Sequence, residues 1–384
     1  MTRWKQAQTW LLALSLLSFA WVGCGSPVPE AYVWNLPPGV SPPQVPKDNP
    51  MTQAKVELGR HLFYDKRLSF NGKSSCGSCH EQKLAFADGK KLPKGATGDT
   101  LTRNSMGLAN VGYATTLTWA NPALQTLERH ALVPLLVDEP IELGLAGYDQ
   151  EVFAKLRNIP LYQKLFQQAF PQAETLVTLR QVVHALASFQ RTMTSFDSPY
   201  DRFLRGDASA LSADAQAGRK LFLSDRLRCS QCHGGTDLNR PINDQGKPLQ
   251  GLNAFLNNGL YNIQNKGGYP FGGGGLYEIT AKKEDQGKFK IPTLRNIELT
   301  GPYMHDGSIA TLSEVLDHYA AGGSNYTSGE HAGDGRIHPN KSPLVSGFSL
   351  TPQERQQLLA FLRSLTDKTF TTNPALQDPF TSQP

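Results

Sequence analysis

The pentapeptide Cys-x-x-Cys-His occurs twice and constrains the possible fold more than any other feature of the sequence. Each copy places two cysteines three residues apart with a histidine directly after the second: Cys76, Cys79 and His80, then Cys229, Cys232 and His233. The 384-residue chain has five cysteines, and only Cys24 lies outside the two motifs. The fold must therefore hold two adjacent thiols beside an imidazole at two separate places.

Covalent haem attachment accounts for every residue of both motifs. Two thiols add to the two vinyl groups of one haem, and the histidine that follows supplies an axial nitrogen to the iron. A pair of disulfides would explain neither the spacing nor the histidines. A four-cysteine zinc site usually has its two halves about 15–20 residues apart and needs no histidine, and a thiol-redox site needs only one cysteine pair. We therefore predict two c-type haems.

An internal repeat precedes the two motifs. VELGRHLFYDKRLS leads into the first and AQAGRKLFLSDRLR into the second, with a shared Gly-Arg-x-Leu-Phe core that starts at Gly59 and at Gly218. Apolar residues at helical spacing predict a short amphipathic helix before each haem. The predicted fold class is therefore mainly α, with two cytochrome c-like haem domains.

The start of the chain predicts export. Residues 1–23 combine a basic start, an apolar run and small residues, as in a secretory signal. The run of about 13 apolar residues is too short for an uncleaved membrane anchor. Cys24 follows at the position where lipoproteins are cut and acylated, although Trp21 is unusual before such a site. We expect a periplasmic protein anchored through a lipidated Cys24, with a plain periplasmic form left open.

The rest of the chain divides into four predicted parts. Residues 24–55 form a Pro-rich tether, 56–205 the N-terminal haem domain, 206–370 the C-terminal haem domain and 371–384 an extended tail. An apolar face predicts a helix over residues 173–196, and Thr351 with Glu354 predicts a capped helix that packs on the second haem domain. The Gly-rich stretch 267–278 predicts a flexible surface loop. The net charge of +5 gives no basic patch, so we expect no nucleic-acid partner.

Both haem motifs, the junction SPYDRFLRGD and residues 290–323, KIPTLRNIELTGPYMHDGSIATLSEVLDHYAAGG, together resemble the bacterial di-haem cytochrome c peroxidase and MauG family. The resemblance extends from Gly59 to Leu365. It implies two mainly helical cytochrome c-like domains with a calcium ion between them. It also implies that the N-terminal haem binds peroxide and that the C-terminal haem relays electrons from outside.

The resemblance implies a distal pocket at the N-terminal haem. Glu142 matches the distal glutamate that moves a proton during peroxide cleavage, and Pro134 matches the pocket proline, although the spacing between them differs from that of the family. Asp138 and Glu139 are nearby alternatives, and a solvated acidic loop is the competing interpretation. Ala96 stands where many members carry a blocking histidine, which implies an open iron as in the MauG-like branch.

The resemblance also assigns residues between the haems and at the second iron. Trp119 matches the aromatic residue that shortens the electron path between the haems, with a buried packing role as the alternative. Tyr319 stands where MauG-like members use tyrosine as axial ligand, and a phenolate is a hard anionic donor that lowers the reduction potential. Met304 and His318 are rival ligands.

Three oxygen donors match the calcium ligands of the family. They are the side chain of Asn104 and the backbone carbonyls of Thr300 and Pro302, and hard oxygen donors suit calcium. Five further histidines are interpreted as structural or surface residues: His61, His130, His184, His331 and His338. Of these, His130 stands where the family commonly has a glutamine near the distal glutamate, and the resemblance implies that it tunes that residue.

Three functions follow from these features. The first is an enzyme that reduces hydrogen peroxide to water with electrons from a small cytochrome c or cupredoxin. The second is a MauG-like oxidase that modifies a partner protein or a small molecule, which the open first iron and Tyr319 favour. The third is a non-catalytic electron-transfer cytochrome, and Glu142 beside an open iron argues against it. A homodimer is left open.

Overall fold

The computed structural model describes residues 30–241, 247 and 249–381. The predicted signal segment and Cys24 lie outside the described residues. In the part of the chain that is described, no helix is long and apolar enough to cross a membrane.

The described chain is mainly helical. The helices of the first half are α1 (Gln53–Tyr64), α2 (Leu127–Leu136), α3 (Asp149–Arg157), α4 (Pro160–Ala169), α5 (Leu179–Arg191) and α6 (Pro199–Leu204). Those of the second half are α7 (Ala213–Phe222), α8 (Cys229–Cys232), α9 (Tyr277–Thr280), α10 (Leu312–Ala320), α11 (Pro352–Arg363) and α12 (Lys368–Thr372). Two short antiparallel pairs join β1 (Phe255–Leu256) to β2 (Phe289–Lys290) and β3 (Asn325–Tyr326) to β4 (Gly333–Asp334).

Local capping decides where the longest helices begin. The capping box of Thr351 and Glu354 is present at the start of α11, as predicted. A second box, made by Thr178 and Gln181, starts α5 at Leu179. The helix predicted over residues 173–196 is therefore shorter, because the threonine side chain takes the first free backbone N–H groups.

The repeated glycine lies where two helices cross in each half of the molecule. A Cβ atom on Gly59 of α1 would lie 2.0 Å from the carbonyl oxygen of Ala185 in α5. A Cβ atom on Gly218 of α7 would lie 1.9 Å from the carbonyl oxygen of Gln357 in α11. Only glycine permits either approach, so the repeat encodes a helix crossing as well as an amphipathic helix.

Two apolar cores confirm the predicted pair of mainly α domains. The first core is built on α1, α4 and α5, and its largest fully buried side chains are Phe63, Tyr162, Phe166 and Phe189. The second is built on α7 and α11 and includes Tyr200, Phe222 and Phe361. Tyr200 packs edge-on against Phe361 with ring centroids 5.3 Å apart, so the junction helix α6 contributes to the second core.

A buried polar network connects the two domains. The guanidinium of Arg295 donates to both carboxylate oxygens of Asp201 at 2.9 and 3.0 Å. Its Nε donates to Asp237 at 3.0 Å, and the Asn110 amide from the first domain donates to the same carboxylate oxygen at 2.7 Å. Because all four side chains are buried, their hydrogen bonds hold the domains in one relative position.

The described part of the predicted extended tail, residues 371–381, packs on the molecule together with Phe370, which ends the predicted C-terminal haem domain. Phe370 in α12 packs on Phe86 with ring centroids 5.4 Å apart, and Leu376 is 2% exposed in the first core. The side-chain amide of Gln82 donates to the carbonyl of Phe370 at 3.1 Å. The prediction was wrong here because these residues cover apolar side chains of the N-terminal domain, such as Phe86, which are distant in the sequence.

The predicted Pro-rich tether is also packed from Glu30 onward. Tyr32 and Trp34 contact the first core, and the amide of Asn49 donates to Glu128 at 2.8 Å and to the carbonyl of His184 at 3.0 Å. These described residues of the segment are therefore part of the N-terminal domain.

The Gly-rich stretch is a close-packed loop and not a free surface segment. Gly273, Gly274 and Gly275 are buried, and a Cβ atom on Gly275 would lie 2.4 Å from the carbonyl oxygen of Lys288. Phe271 at its tip is fully exposed. The glycines are needed for this close backbone approach.

Candidate haem sites

The first Cys-x-x-Cys-His motif forms a 3-10 turn over Cys76–Ser78. The Nδ1 atom of His80 lies 2.6 Å from the carbonyl oxygen of Phe86. A neutral imidazole donates its Nδ1 hydrogen to that oxygen and keeps a lone pair on Nε2. Burial lowers the pKa of His80, which favours this neutral form. The ring is therefore held as an axial iron ligand requires.

The second motif repeats this arrangement. Nδ1 of His233 lies 2.9 Å from the carbonyl oxygen of Leu238, and burial lowers the pKa of His233 to about 4. Phe86 and Leu238 have left-handed backbones, with φ of 63° and 50°. Both loops use a strained residue to aim a carbonyl at the histidine.

The donors fit covalent haem better than the alternatives. All four motif cysteines carry free thiols, and two of them adjoin each histidine. Among the described residues, no group of three or more His, Cys, Asp or Glu side chains is placed to hold a metal ion. A shared four-cysteine zinc site therefore does not fit, whereas two thiols and one available imidazole nitrogen at each site are what a c-type haem uses.

A largely apolar cavity adjoins the second motif. It is lined by Cys229, Cys232 and His233, and Tyr319 from α10 lies in its wall. Burial raises the pKa of Tyr319 to about 12, a hydrogen bond with Asn258 acts in the opposite direction, and the two cysteine thiols are close enough to raise it further. The structure therefore brings the predicted phenol ligand and the attachment cysteines together.

The rival ligands differ in their placement. His318 engages both ring nitrogens, with Nδ1 at 2.8 Å from the Ser324 hydroxyl and Nε2 at 3.1 Å from the carbonyl of Asn258. Met304 lines the same cavity as Tyr319, and its sulfur accepts a hydrogen bond from the Asn258 amide at 3.3 Å. Both ring nitrogens of His318 thus have hydrogen-bond partners, whereas Met304 shares the cavity wall with Tyr319.

Glu142 lies beside the first motif. Burial first, and the Glu142 carboxylate second, raise the pKa of the Cys76 thiol. Burial alone raises the pKa of Glu142 to about 7, and Glu142 makes no ion pair within the described ranges. Its backbone carbonyl accepts from Ala96 N at 2.8 Å, and Leu143 N donates to the carbonyl of Pro134 at 2.9 Å. The structure thus brings Glu142, Pro134 and Ala96 together despite the altered spacing.

The two neighbouring acids do not share this position. Asp138 and Glu139 are exposed on the loop between α2 and Glu142. The competing interpretation of a solvated acidic loop therefore describes these two residues and not Glu142.

The resemblance implied that His130 tunes the distal glutamate, and the structure places it near His80 of the first motif. It lies four residues before Pro134 on α2, so the two side chains project from the same helix face. Burial first, and then the charges of His80 and Lys290, lower the pKa of His130 to about 4. This places it inside the pocket and not on the surface. The four-residue spacing between His130 and Pro134 indicates in the sequence that both residues lie on one helix face.

Lys290 is a residue that the sequence did not single out. Burial lowers its pKa to about 8, its Nζ lies 4.0 Å from the sulfur of Met106, and it makes no ion pair within the described part of the chain. A half-buried cation without an ion pair among the described residues suits an anionic partner, and a bound haem would supply two carboxylates.

Trp119 packs at the contact between the domains. It is 9% exposed, lines the cavity of the second motif and packs with Phe289. Its indole N–H donates to the carbonyl of Asn104 at 2.9 Å. Asn104 and Thr300 line this cavity as well, whereas Pro302 is not part of its wall. The structure therefore brings together two of the three residues predicted to bind calcium.

Comparison with known proteins gives a consistent result. Residues 53–209 match the sequence profile of the family described as di-haem cytochrome c peroxidase. The methylamine utilization protein MauG of Methylorubrum extorquens is 33% identical over 322 residues, which cover 83% of this chain and 80% of that protein. Cytochrome-c peroxidase IdrP1 of Denitromonas iodatirespirans is 35% identical over 370 residues, which cover 89% of this chain and 88% of that protein.

A solved structure shows the same likeness. The crystal structure of a MauG-like protein associated with microbial copper homeostasis superposes with a TM-score of 0.86 at 46% identity, and the match covers 91% of this chain and 100% of that chain. Proteins of this kind carry two c-type haems and are typically periplasmic. Because the likeness spans both haem motifs and the junction between them, this chain belongs to the di-haem cytochrome c peroxidase and MauG family of oxidoreductases.

Proposed function

We propose that this protein reduces hydrogen peroxide to water at its N-terminal haem site, with electrons from a small periplasmic cytochrome c or cupredoxin. The observation that carries the proposal is Glu142, a half-buried carboxyl beside Cys76 of the first haem motif, and desolvation raises its pKa to about 7. An acid/base whose pKa is close to the working pH both accepts and returns a proton efficiently.

Glu142 moves the proton that peroxide cleavage requires. Its carboxylate accepts the proton of one peroxide oxygen and delivers it to the other, which leaves as water. The full reaction consumes two electrons and two protons for each peroxide and yields two waters. Bound haem supplies the redox-active iron at which this happens. His80 would ligate that iron, and its ring is fixed by the carbonyl of Phe86.

The residue at position 96 supports direct access of peroxide. Ala96 is 4% exposed and its backbone is bonded to that of Glu142. A methyl group there cannot ligate iron, so the position that holds a blocking histidine in many family members is free of a ligand. The site thus needs no prior displacement of that ligand.

Oxidation of a partner protein or small molecule, as in MauG-like enzymes, is the second candidate. Tyr319 favours it, because a phenolate ligand stabilises the oxidised states of iron at the second haem. Trp119 at the domain contact would share oxidising equivalents between the sites. Both candidates begin with the same peroxide step and differ in which molecule gives up the electrons.

Calcium and the membrane anchor belong to the same proposal. Asn104 and Thr300 line one cavity, which supports a calcium ion held by oxygen donors between the domains, with Pro302 as the third ligand. Acylation of Cys24 would keep the haem domains at the periplasmic face of a membrane. An electrospray mass of the mature protein tests the anchor.

Replacing Glu142 by glutamine tests the proposed chemistry. We expect the rate of the optical reaction with peroxide to fall by a factor of about 100 or more, because glutamine cannot accept the proton. The matched control is Glu139→Gln, which removes an exposed carboxylate three residues away. Equal rates in the Glu142 variant and wild type, at equal haem content, would remove Glu142 from the mechanism.

A further inference from the structure

We propose that a row of aromatic side chains carries oxidising equivalents between Trp119 and the surface hairpin formed by β3 and β4, where a one-electron redox protein docks at Tyr326. This aromatic row consists of Trp119, Phe289, Tyr269, Tyr261 and Tyr326. The inference rests on the proposed function for its oxidant, which is peroxide.

The inner half of the row starts at the domain contact. Trp119 and Phe289 form one buried apolar cluster, against which Tyr269 packs. The Phe289 ring stacks on His305 with centroids 3.8 Å apart and planes 14° from parallel. The Tyr269 ring lies 6.3 Å from each of these two rings. Ring contacts thus extend outward from Phe289, which shares an apolar cluster with the indole of Trp119.

The outer half reaches the surface in two more contacts. Tyr261 lies 5.6 Å from Tyr269, and it stacks on Tyr326 with centroids 5.1 Å apart and planes 13° from parallel. Tyr261 is 3% exposed, whereas Tyr326 is partly accessible in β3. His331, on the turn of the same hairpin, lies 5.4 Å from Tyr261. Tyr326 is therefore the point where a partner can reach the row.

Tyr261 has the proton acceptor that phenol oxidation requires. Its hydroxyl donates to Oδ2 of Asp306 at 2.6 Å. The hydroxyl of Tyr269 donates to the amide oxygen of Asn257 at 3.1 Å, and an amide is a poor proton acceptor. The radical should therefore rest on Tyr261 and pass Tyr269 only in transit.

Oxidation and re-reduction of Tyr261 balance in electrons and protons. Tyr261 gives one electron toward the oxidised side of the row, and its phenolic proton moves to Asp306, which leaves a neutral tyrosyl radical beside a protonated carboxyl. One electron from the docked partner, passed through Tyr326, then reduces the radical, and the proton returns from Asp306 to the phenol oxygen. Each cycle uses one electron from the partner and one oxidising equivalent from peroxide.

Tyr162 supplies a matched control within the same chain. Its hydroxyl also donates to a carboxylate oxygen, Oδ2 of Asp65, at 2.6 Å, and it is fully buried. It lies in the first core, where its ring neighbour is Phe166, outside the aromatic row. Replacing Tyr162 by phenylalanine removes the same kind of hydrogen bond without interrupting the row.

The test is freeze-quench electron paramagnetic resonance of the full haem-loaded protein after peroxide, with ring-deuterated tyrosine incorporated. We expect a radical whose linewidth narrows on deuteration, a several-fold smaller signal in Tyr261→Phe, and an undiminished signal in Tyr162→Phe. Tyr326→Phe should retain the radical but slow its reduction by added cytochrome c. A radical signal of equal size in Tyr261→Phe and wild type would contradict the proposal that the aromatic row places the radical on Tyr261.

A second measurement separates this inference from the proposed function. If the haems of the wild type do not respond optically to peroxide, the proposed function fails. Photo-oxidation of the reduced protein with a ruthenium-polypyridyl sensitiser then tests whether the aromatic row carries electrons. Haem oxidation should be several-fold slower in Tyr261→Phe than in Tyr162→Phe. Equal rates would show that electrons leave the haems without passing Tyr261.

Discussion

The two haem domains agree in the elements that hold the haem and differ on the side where chemistry occurs. In both, a glycine permits a close helix crossing, at Gly59 and at Gly218, and a left-handed residue aims its carbonyl at the proximal histidine. Beside the first motif lies the half-buried acid Glu142, and beside the second lies the phenol of Tyr319. The two domains thus share their backbone framework and differ in the side chains beside each haem motif.

Loss of Arg295 tests the connection between the two domains and has the largest expected effect. Arg295→Met leaves Asp201 and Asp237 buried without their shared cation, which should cost about 3–5 kcal/mol of unfolding free energy. Urea denaturation of the haem-loaded protein measures this. Arg336→Met is the control, since that arginine is exposed and pairs with Asp334 on the surface. A loss below about 1 kcal/mol would show that the domains are held by other contacts.

The two helix crossings should respond alike. Gly59→Ala and Gly218→Ala each push a methyl group into a backbone carbonyl, and overpacking of this kind costs about 1–3 kcal/mol. Lys220→Ala, at an exposed position of α7, should be neutral. If only one glycine variant were destabilised, the two domains would not share the same structural requirement.

The acid of the first domain should give the peroxide reaction its pH dependence. Because the pKa of Glu142 is raised to about 7, the rate should rise with pH through about 7 as the carboxylate forms, and Glu142→Gln should lose that rise. The same shift predicts the sign for stability. A carboxyl whose pKa rises from 4.5 on folding stabilises the fold fully below pH 4.5, and this contribution is lost as pH rises through about 7. A flat rate profile from pH 5 to 9 would contradict the assignment.

The phenol of the second domain should control the spectrum and not the stability. Tyr319→Phe should alter the low-spin ferric spectrum of one haem and raise its reduction potential, with little effect on the unfolding free energy. Met304→Leu is the companion variant, because both side chains line the same cavity. A spectrum that changes in the Met304 variant alone would assign the ligand to methionine.

Local patterns in the sequence were sufficient to predict the haem motifs, the mainly α fold and the capped start of α11. The repeat also located both crossing helices, although the sequence could not show that Gly59 and Gly218 face carbonyl groups more than a hundred residues away. These features succeed because each depends on residues that are close in the chain.

The errors involve burial by distant segments. Leu376 was assigned to an extended tail and Phe370 to the C-terminal haem domain, yet both lie in the first core, about 300 residues from α1. The Gly-rich loop was expected to be free, and it is buried by backbone approach to Lys288. His130 and Lys290 come from different domains, yet the charge of Lys290 is close enough to lower the pKa of His130. No local periodicity encodes such long-range contacts.

The central claim is that the first haem site is open beside Glu142 while the second is ligated by Tyr319. A stopped-flow optical titration of the fully ferric protein with hydrogen peroxide, without prior reduction, tests it most directly. The account predicts fast conversion to a species oxidised at both haems. No reaction until one haem is reduced would contradict it, because it would reveal a blocking ligand on the first iron.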